Sequence, residues 1–87
     1  MIKGVYSLYD KKAKIYMNVF TDVNDGTAIR QMQQACNQEN SIISQYPDDY
    51  ALFRITQWDD ETGQLLAQKK SLVIEINQLT TKENTNG

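Results

Sequence analysis

The sequence predicts an α+β fold, a small antiparallel sheet of four to five strands with one helix packed on a face. Two observations predict it. Residues 24–36 have the one clear helical period of the chain, and segments with strand-type alternation lie on both sides of them. Because strands surround a single helix, we expect the order strand-strand-helix-strand-strand and an antiparallel sheet. The 87 residues suffice for one domain with one core.

The helix is predicted from a set of apolar residues spaced three and four apart. On a 3.6-residue helix they form one stripe, made of Ala28, Ile29, Met32, Ala35 and Cys36. Asp25 or Thr27 is expected to cap the first turn by accepting a hydrogen bond from a free backbone N–H. A helix this short is marginal alone, so its stripe needs a sheet to pack against, and Cys36 on that stripe is expected to be a buried thiol.

Five segments have the composition and alternation of strands. They are Ile2–Tyr9, Lys14–Phe20, Tyr50–Trp58, Gln64–Gln68 and Leu72–Ile76. The last could also continue the preceding strand after a bulge. Strict alternation in the third strand places Trp58, Arg54 and Leu52 on one face. We expect residues 1–79 to form a single domain and residues 80–87, which include no apolar residue, to form a disordered tail.

The composition argues against an enzyme and against a metal site. The chain has no histidine and one cysteine, so the commonest general base is absent and a zinc site is very unfavourable. No nucleophile motif or phosphate-binding glycine loop occurs, and we expect no catalytic residue, metal or cofactor. The carboxylates that are adjacent in the sequence are interpreted as solvated residues of turns and not as a metal or acid–base site. These residues are Asp48, Asp49, Asp59, Asp60 and Glu61.

The distribution of basic residues points to one surface of interest. Nine Lys and Arg against eleven Asp and Glu give a net charge of −2, which excludes a protein that coats phosphates with its whole surface. Lys11, Lys12 and Lys14 nevertheless cluster on the predicted first hairpin, beside Tyr9 and Tyr16. Cations on phosphates and ring faces under bases are what hold single-stranded nucleic acid. The alternative is a charged, solvated hairpin tip whose tyrosines pack inward.

Other basic and aromatic residues extend this hypothesis. The candidate nucleic-acid-binding residues are Lys11, Lys12, Lys14, Arg30, Arg54, Lys69, Lys70, Tyr9, Tyr16 and Trp58. Trp58, at a strand end, fits a core residue, an interface anchor or a stacking platform, and the first two are the commoner outcomes for a lone tryptophan there. The sheet edges of so small a domain also favour a homodimer. No apolar run of about 18 residues is present, so we expect no membrane span and a cytoplasmic protein.

An ordered series of motifs gives the chain a resemblance to a known family. The motifs are Tyr6-Ser7-Leu8-Tyr9-Asp10-x-Lys12-Ala13, Phe20, Ala28-Ile29-Arg30, Tyr46-Pro47-Asp48-Asp49-Tyr50-x-Leu52 and Trp58-Asp59-x-x-Thr62-Gly63. In their order and spacing over residues 4–66, they resemble the small nonstructural protein of gokushoviruses, the single-stranded DNA phages of the microvirus group. The chain departs from that pattern at Asn18, where proline is common, and at Gln57-Trp58, where Gly-Phe is usual.

The resemblance implies a phage early protein that binds DNA and has no enzymatic activity. It implies a role in switching genome replication from double-stranded templates to single-stranded progeny for packaging, in the host cytoplasm. The resemblance does not identify any residue of this chain as a DNA contact. We therefore expect a homodimer that binds single-stranded DNA weakly, without sequence preference, and with steep loss in salt. The alternative is a protein–protein adaptor that acts on the phage replication initiator, a host replication factor or the procapsid without touching DNA.

Overall fold

The computed structural model of the protein describes residues 1–80, in which six strands and three α-helices occur. The strands are β1 (Ile2–Asp10), β2 (Ile15–Tyr16), β3 (Phe20–Asp22), β4 (Tyr50–Asp59), β5 (Gln64–Leu66) and β6 (Ser71–Glu75). The helices are α1 (Asp25–Cys36), α2 (Ile42–Gln45) and α3 (Asn77–Thr80), and a 3-10 turn spans Pro47–Asp49. The predicted α+β class is confirmed. Of the predicted tail, Thr80 ends α3 and residues 81–87 lie outside the described residues.

Two long strands form the centre of an antiparallel sheet. β1 and β4 pair along their whole lengths, and β2 and β3 share the outer edge of β1 while β5 and β6 share the outer edge of β4. The predicted second strand is split into β2 and β3, because residues 17–19 supply three residues where β1 offers two. In the β1–β2 turn, the carboxylate of Asp10 accepts from the backbone N–H groups of Lys12 and Ala13.

A β-bulge lies at the middle of β4. Val5 of β1 is opposite Thr56, whereas the next residue, Tyr6, is opposite Arg54. Ile55 is therefore an extra residue on β4, and beyond it the alternation of side chains between the two faces is reversed. Such a bulge leaves no strong signal in a strand whose residues all suit a pleated sheet.

The bulge corrects one expectation about the faces of the sheet. Strict alternation placed Trp58 with Arg54 and Leu52, and this is wrong. Residues opposite each other across two strands share a face, so the register places Thr56 and Trp58 on the face that carries Phe53. Arg54 and Leu52 lie on the other face.

The helix α1 begins with a cap that differs from the expected one. The side chain of Asn24 accepts from the backbone N–H of Thr27 at 2.9 Å, and the Thr27 hydroxyl accepts from the N–H of Asn24. Asn24 is the cap because its extended backbone lets its side chain turn back over the first helical turn. Asp25 is instead the first helical residue, and its carboxylate is used elsewhere.

The apolar stripe of α1 packs against one face of the sheet, as predicted. Ala28, Met32 and Cys36 are buried, and Ile29 and Ala35 are partly buried against them. The core consists of Tyr6, Ala28, Met32, Cys36, Ile43, Tyr50, Leu52, Ile76 and Leu79. We call this side of the sheet the helix-covered face. None of the helices within residues 1–80 is long and apolar enough to cross a membrane.

The opposite side, which we call the open face, carries no helix within residues 1–80. The register assigns it alternate residues of β1 and β4, together with their neighbours on the edge strands. They are Lys3, Val5, Ser7, Tyr9, Tyr16, Thr21, Ala51, Phe53, Thr56, Trp58, Leu65, Leu72 and Glu75. The two faces of one thin sheet thus have different chemistry, which decides where a ligand could bind.

Candidate nucleic-acid interface

Three aromatic rings are in mutual contact on the open face. Tyr9 and Tyr16 form a cross-strand pair with ring centroids 4.6 Å apart. The ring of Phe53 meets both edge-on, with centroids 6.0 Å from Tyr9 and 5.6 Å from Tyr16. We call these three rings the aromatic cluster. Tyr16 is its outermost member, with 36% of its surface exposed. The cluster therefore presents ring surface to a ligand.

A lysine lies directly over this cluster. The Nζ atom of Lys70 is 5.1 Å from the centroid of the Tyr16 ring, within the range of a cation–π contact. Lys12, Lys14 and Lys69 are exposed and form no ion pair within residues 1–80. Lys14 is two residues from Tyr16 and Lys69 precedes Lys70. The cluster is thus flanked by positive charge that no carboxylate of the described chain neutralises.

One lysine of the hairpin differs from the others because it is paired. The Nζ of Lys11 donates to Oε1 of Glu75 at 2.5 Å. Glu75 lies opposite Ala51, which in turn lies opposite Tyr9, so the carboxylate belongs to the open face beside the aromatic cluster. The positive charge of Lys11 is therefore compensated within the protein, and a phosphate would have to compete with Glu75 for it.

The two arginines lie away from the aromatic cluster. Nη1 of Arg54 donates to both carboxylate oxygens of Asp25, at 3.1 and 3.0 Å, on the helix-covered face. The Tyr6 hydroxyl donates to the same carboxylate at 2.7 Å, and burial together with this hydrogen bond raises the pKa of Tyr6. The Nε of Arg54 is buried and has no hydrogen-bond partner within residues 1–80. Arg30 is exposed on α1.

A polar cleft of about 370 Å³ adjoins this ion pair, lined in part by Val23, Gly26 and Gln57. Arg54 and Asp25 neutralise each other there, so the cleft offers no net charge to a phosphate. Residues 1–80 hold no group of three or more histidine, cysteine, aspartate or glutamate side chains arranged to bind a metal ion.

An apolar groove of about 510 Å³ lies where the sheet edge is split between β2 and β3. Its lining consists of Leu8, Ile15, Tyr16, Met17, Asn18, Phe20 and Met32. No charged side chain lines it. Ile15 and Met17 are exposed beside it, so the groove is a place where an apolar partner could be accommodated.

The structure thus separates the ten predicted residues into groups. Tyr9 contacts Tyr16, and Lys70 lies over the Tyr16 ring, while Lys12 and Lys14 are in the turn between the two tyrosines and Lys69 directly precedes Lys70. Lys11 reaches the same face but is paired, Trp58 is on that face farther along β4, and the two arginines are elsewhere.

Phe53 and Glu75 were missed by the sequence reasoning. Phe53 is predicted on the face opposite to Leu52, but its contact with Tyr9 depends on the pairing of β1 with β4. Those strands are separated by some forty residues in the chain, so local alternation contains no signal for the contact.

Comparison with known proteins identifies a family for the chain. Among curated proteins and among solved structures, none matches the chain. Residues 3–79 match the family described as phage ORF5 protein, and this range includes β2 to β6, helices α1 and α2, and all but one residue of β1. Since the matched range covers nearly all of the described chain, the protein belongs to the phage ORF5 protein family.

Proposed function

We propose that this phage protein binds single-stranded DNA, without sequence preference, on the open face of its sheet. The observation that carries the proposal is the aromatic cluster with the Lys70 ammonium above its outer ring. Ring faces stack under bases of any sequence, and nearby lysines bind the phosphates between them. Both components occur together on this surface, within reach of one short oligonucleotide.

The charges set the expected strength of binding. The whole chain has a net charge of −2, and Lys11 is compensated by Glu75. The remaining attraction comes from Lys12, Lys14, Lys69 and Lys70. Binding is therefore expected to be weak and to fall steeply with salt, because each neutralised phosphate releases counterions.

Single strands fit this surface better than duplexes. In a duplex the base faces are stacked on one another, whereas a sheet face with the exposed ring of Tyr16 offers stacking to bases that are already unpaired. No helix within residues 1–80 projects from the open face to enter a major groove.

The biological setting follows from the family and from the resemblance to the gokushovirus nonstructural protein. Membership of the phage ORF5 protein family supports a role in a phage-infected cell. We place the protein in the host cytoplasm, where binding of newly made single strands would assist the switch from double-stranded replication to single-stranded genome synthesis and packaging. The supporting property is the preference for unpaired bases argued above.

The proposal is tested by titrating the protein with oligo-dT while recording tyrosine and tryptophan fluorescence, at low salt and near physiological salt. We expect saturable quenching that weakens with salt. Tyr16→Leu removes the outer ring and should lower affinity about 5-fold or more, the cost of losing one base–aromatic stack. Tyr46→Leu, which removes an exposed tyrosine outside the sheet, is the matched control and should leave affinity unchanged. The absence of any saturable response from folded protein at low salt would refute DNA binding.

The apolar groove supports a second candidate function, that of a protein–protein adaptor. A groove lined without charge beside exposed Ile15 and Met17 suits an apolar segment of a phage or host replication protein or of the procapsid, or a second copy of this chain. Light scattering with Met17→Asp tests the homodimer: we expect a dimeric mass for the parent and a monomeric mass for the variant. A negative DNA titration with a dimer that Met17→Asp dissociates would favour this second function.

A further inference from the structure

We infer that the open face holds a second position for a stacked base at Trp58, so that a bound strand runs along β4 from the aromatic cluster to the indole. The inference rests on the proposed function and adds a second contact and a minimum ligand length to it. The ligand class is an oligonucleotide long enough to reach both positions, as opposed to a mononucleotide or dinucleotide.

The position of Trp58 depends on the bulge at Ile55. Without the extra residue, strict alternation would direct the indole to the helix-covered face. With it, Trp58 lies opposite Lys3 of β1 and Leu65 of β5, on the same face as Phe53. Trp58 is half-buried and Leu65 is 68% exposed. The indole is thus supported by the sheet and has an accessible surface next to an exposed apolar neighbour.

The separation of the two positions can be read from β1. Phe53, the ring of the cluster nearest to Trp58, is opposite Ser7, and Trp58 is opposite Lys3, so four residues of β1, or about 13 Å of strand, separate these two rings. The pair of Tyr9 and Tyr16 lies two residues farther along β1, about 20 Å from Trp58. A DNA strand that kept the ~3.4 Å spacing of stacked bases would need about four to six steps to cover these distances, and an extended strand fewer. The two positions therefore bind different nucleotides of one oligonucleotide, not neighbouring stacked bases.

The β1 residues between the two positions do not project from the sheet. Val5 and Ser7, which lie there on the open face, are 8% and 0% exposed, because neighbouring groups cover them, and the Ser7 hydroxyl donates to the carbonyl of Met17. The Thr56 hydroxyl is turned toward the backbone, where it donates to the carbonyl of Leu66. These three side chains therefore offer no free polar group to a strand that passes over them, and the contacts expected for the strand are the two aromatic positions.

The two positions differ in charge, and this difference makes them separable by experiment. At Trp58 the ammonium of Lys3 is paired with Asp60 at 3.3 Å, and Asp59 and Glu61 are in the same turn. Trp58 is therefore expected to contribute stacking without a free cation. Loss of its ring should lower affinity equally at every salt concentration, whereas loss of Lys70 should change the salt dependence.

The unmutated protein provides the first test, because its single tryptophan gives one indole N–H signal in an ¹⁵N-labelled sample. We expect dT8 to shift this signal together with the backbone signals of Tyr9 and Tyr16. We expect dT2, which is too short to reach both positions, to shift the tyrosine signals at lower concentration than the indole. An indole signal that stays in place while dT8 shifts the tyrosines would overturn the second position and leave the proposed function standing.

Two variants give the second test, by fluorescence anisotropy of labelled dT8. Trp58→Leu should weaken binding about 5-fold or more with an unchanged salt slope, and Trp58→Phe, which keeps a ring, should restore most of the affinity. Equal affinities for the parent and a folded Trp58→Leu variant would contradict the inference. If dT8 fails to bind the folded parent protein at low salt, the proposed function and this inference both fail.

Discussion

The two faces of the sheet carry similar types of residue, basic and aromatic, but these residues form different interactions on each face. On the helix-covered face, the one arginine of the sheet is held by Asp25, and one of the two core tyrosines, Tyr6, is fully buried and donates to the same carboxylate. On the open face, tyrosines contact one another, and the lysine above them, Lys70, has a ring as its neighbour and no carboxylate partner in the described chain. The charge of Arg54 on the first face is thus paired within the protein, whereas the charge of Lys70 on the second face is available to a ligand.

This difference shows that a basic or aromatic residue indicates binding only when its own protein leaves it unsatisfied. Arg54 and Lys70 are both cations near aromatic side chains, but the carboxylate beside Arg54 already fulfils the role that a phosphate would take. The predictions below are ways to separate the two faces by experiment, from the largest expected effect to the smallest.

The largest difference in stability is expected between variants of two adjacent residues of β4, which lie on opposite faces of the sheet. Leu52 is fully buried on the helix-covered face, and Leu52→Ala should lower the free energy of unfolding by about 2–5 kcal/mol through lost burial and a cavity. Phe53→Leu, on the open face, keeps most of the volume and should cost less than about 1.5 kcal/mol. Urea unfolding measures both, and a larger loss for Phe53→Leu than for Leu52→Ala would contradict the assignment of the core.

The same pair should behave in the opposite way in DNA binding. Phe53→Leu removes a ring of the aromatic cluster and should weaken oligo-dT binding, whereas folded Leu52→Ala should bind as the parent does. Anisotropy with labelled dT8, under conditions in which both variants are folded, is the measurement.

Two glycines test the packing of the helix-covered face. A Cβ on Gly4 would overlap the phenol of Tyr6, whose ring is buried and hydrogen-bonded, so Gly4→Ala should destabilise by about 1–3 kcal/mol. In Gly26→Ala the new Cβ meets the Asn24 side chain at 3.4 Å, an ordinary contact, and should stabilise α1 by about 0.5–1 kcal/mol. Thermal unfolding of the two variants should therefore shift in opposite directions, and shifts of the same sign would show that the Gly4 contact is not tight.

Removal of the Lys11–Glu75 ion pair offers a way to strengthen DNA binding on the open face. Glu75→Gln removes a negative charge beside the aromatic cluster and releases Lys11 for a phosphate, so dT8 affinity at low salt should rise about 2- to 5-fold, the size of a surface charge interaction. Glu39→Gln makes the same change in charge in the connection between α1 and α2 and should have little effect. An equal rise in both variants would assign the effect to net charge alone.

A smaller effect concerns the acid stability of the helix-covered side. Asp22 accepts from the Thr27 hydroxyl, the Val23 N–H and the Gln31 amide, and these hydrogen bonds, that of Thr27 foremost, lower its pKa. Its stabilising contribution is complete above the unfolded pKa of about 3.9 and is lost as the pH falls through the lower folded pKa. Asp22→Asn should thus be less stable than the parent at pH 7, with a smaller difference at pH 3, measured by urea unfolding. A difference that does not change with pH would contradict this role.

Local periodicity was sufficient to predict the helix stripe and the α+β class, because both depend on residues close together in the chain. The stripe from Ala28 to Cys36 and the hairpin contact of Tyr9 with Tyr16 are of this kind. The cap at Asn24 was missed because three neighbouring polar residues could each have filled the role, and only the backbone geometry decides among them.

The rest of the candidate site depends on contacts between distant residues. The bulge at Ile55 becomes visible only when β1 is paired with β4, and it alone decides that Trp58 joins the face of Phe53. The contact of Lys70 with Tyr16 requires the path between β5 and β6, and the partner of Arg54 is 29 residues away. The pattern of residues within one β-strand contains no information on these contacts.

The most direct test of the contrast between the two faces is the salt dependence of dT8 binding in Lys70→Gln and Arg30→Gln. Both changes remove one positive charge from an exposed side chain, but the first lies over the aromatic cluster and the second lies on α1. We predict weaker binding for Lys70→Gln, with a slope of log affinity against log salt that is shallower by about 0.7, the value for one phosphate contact of a single strand. Arg30→Gln should keep the parent slope. Equal losses and equal slopes in the two variants would contradict binding on the open face.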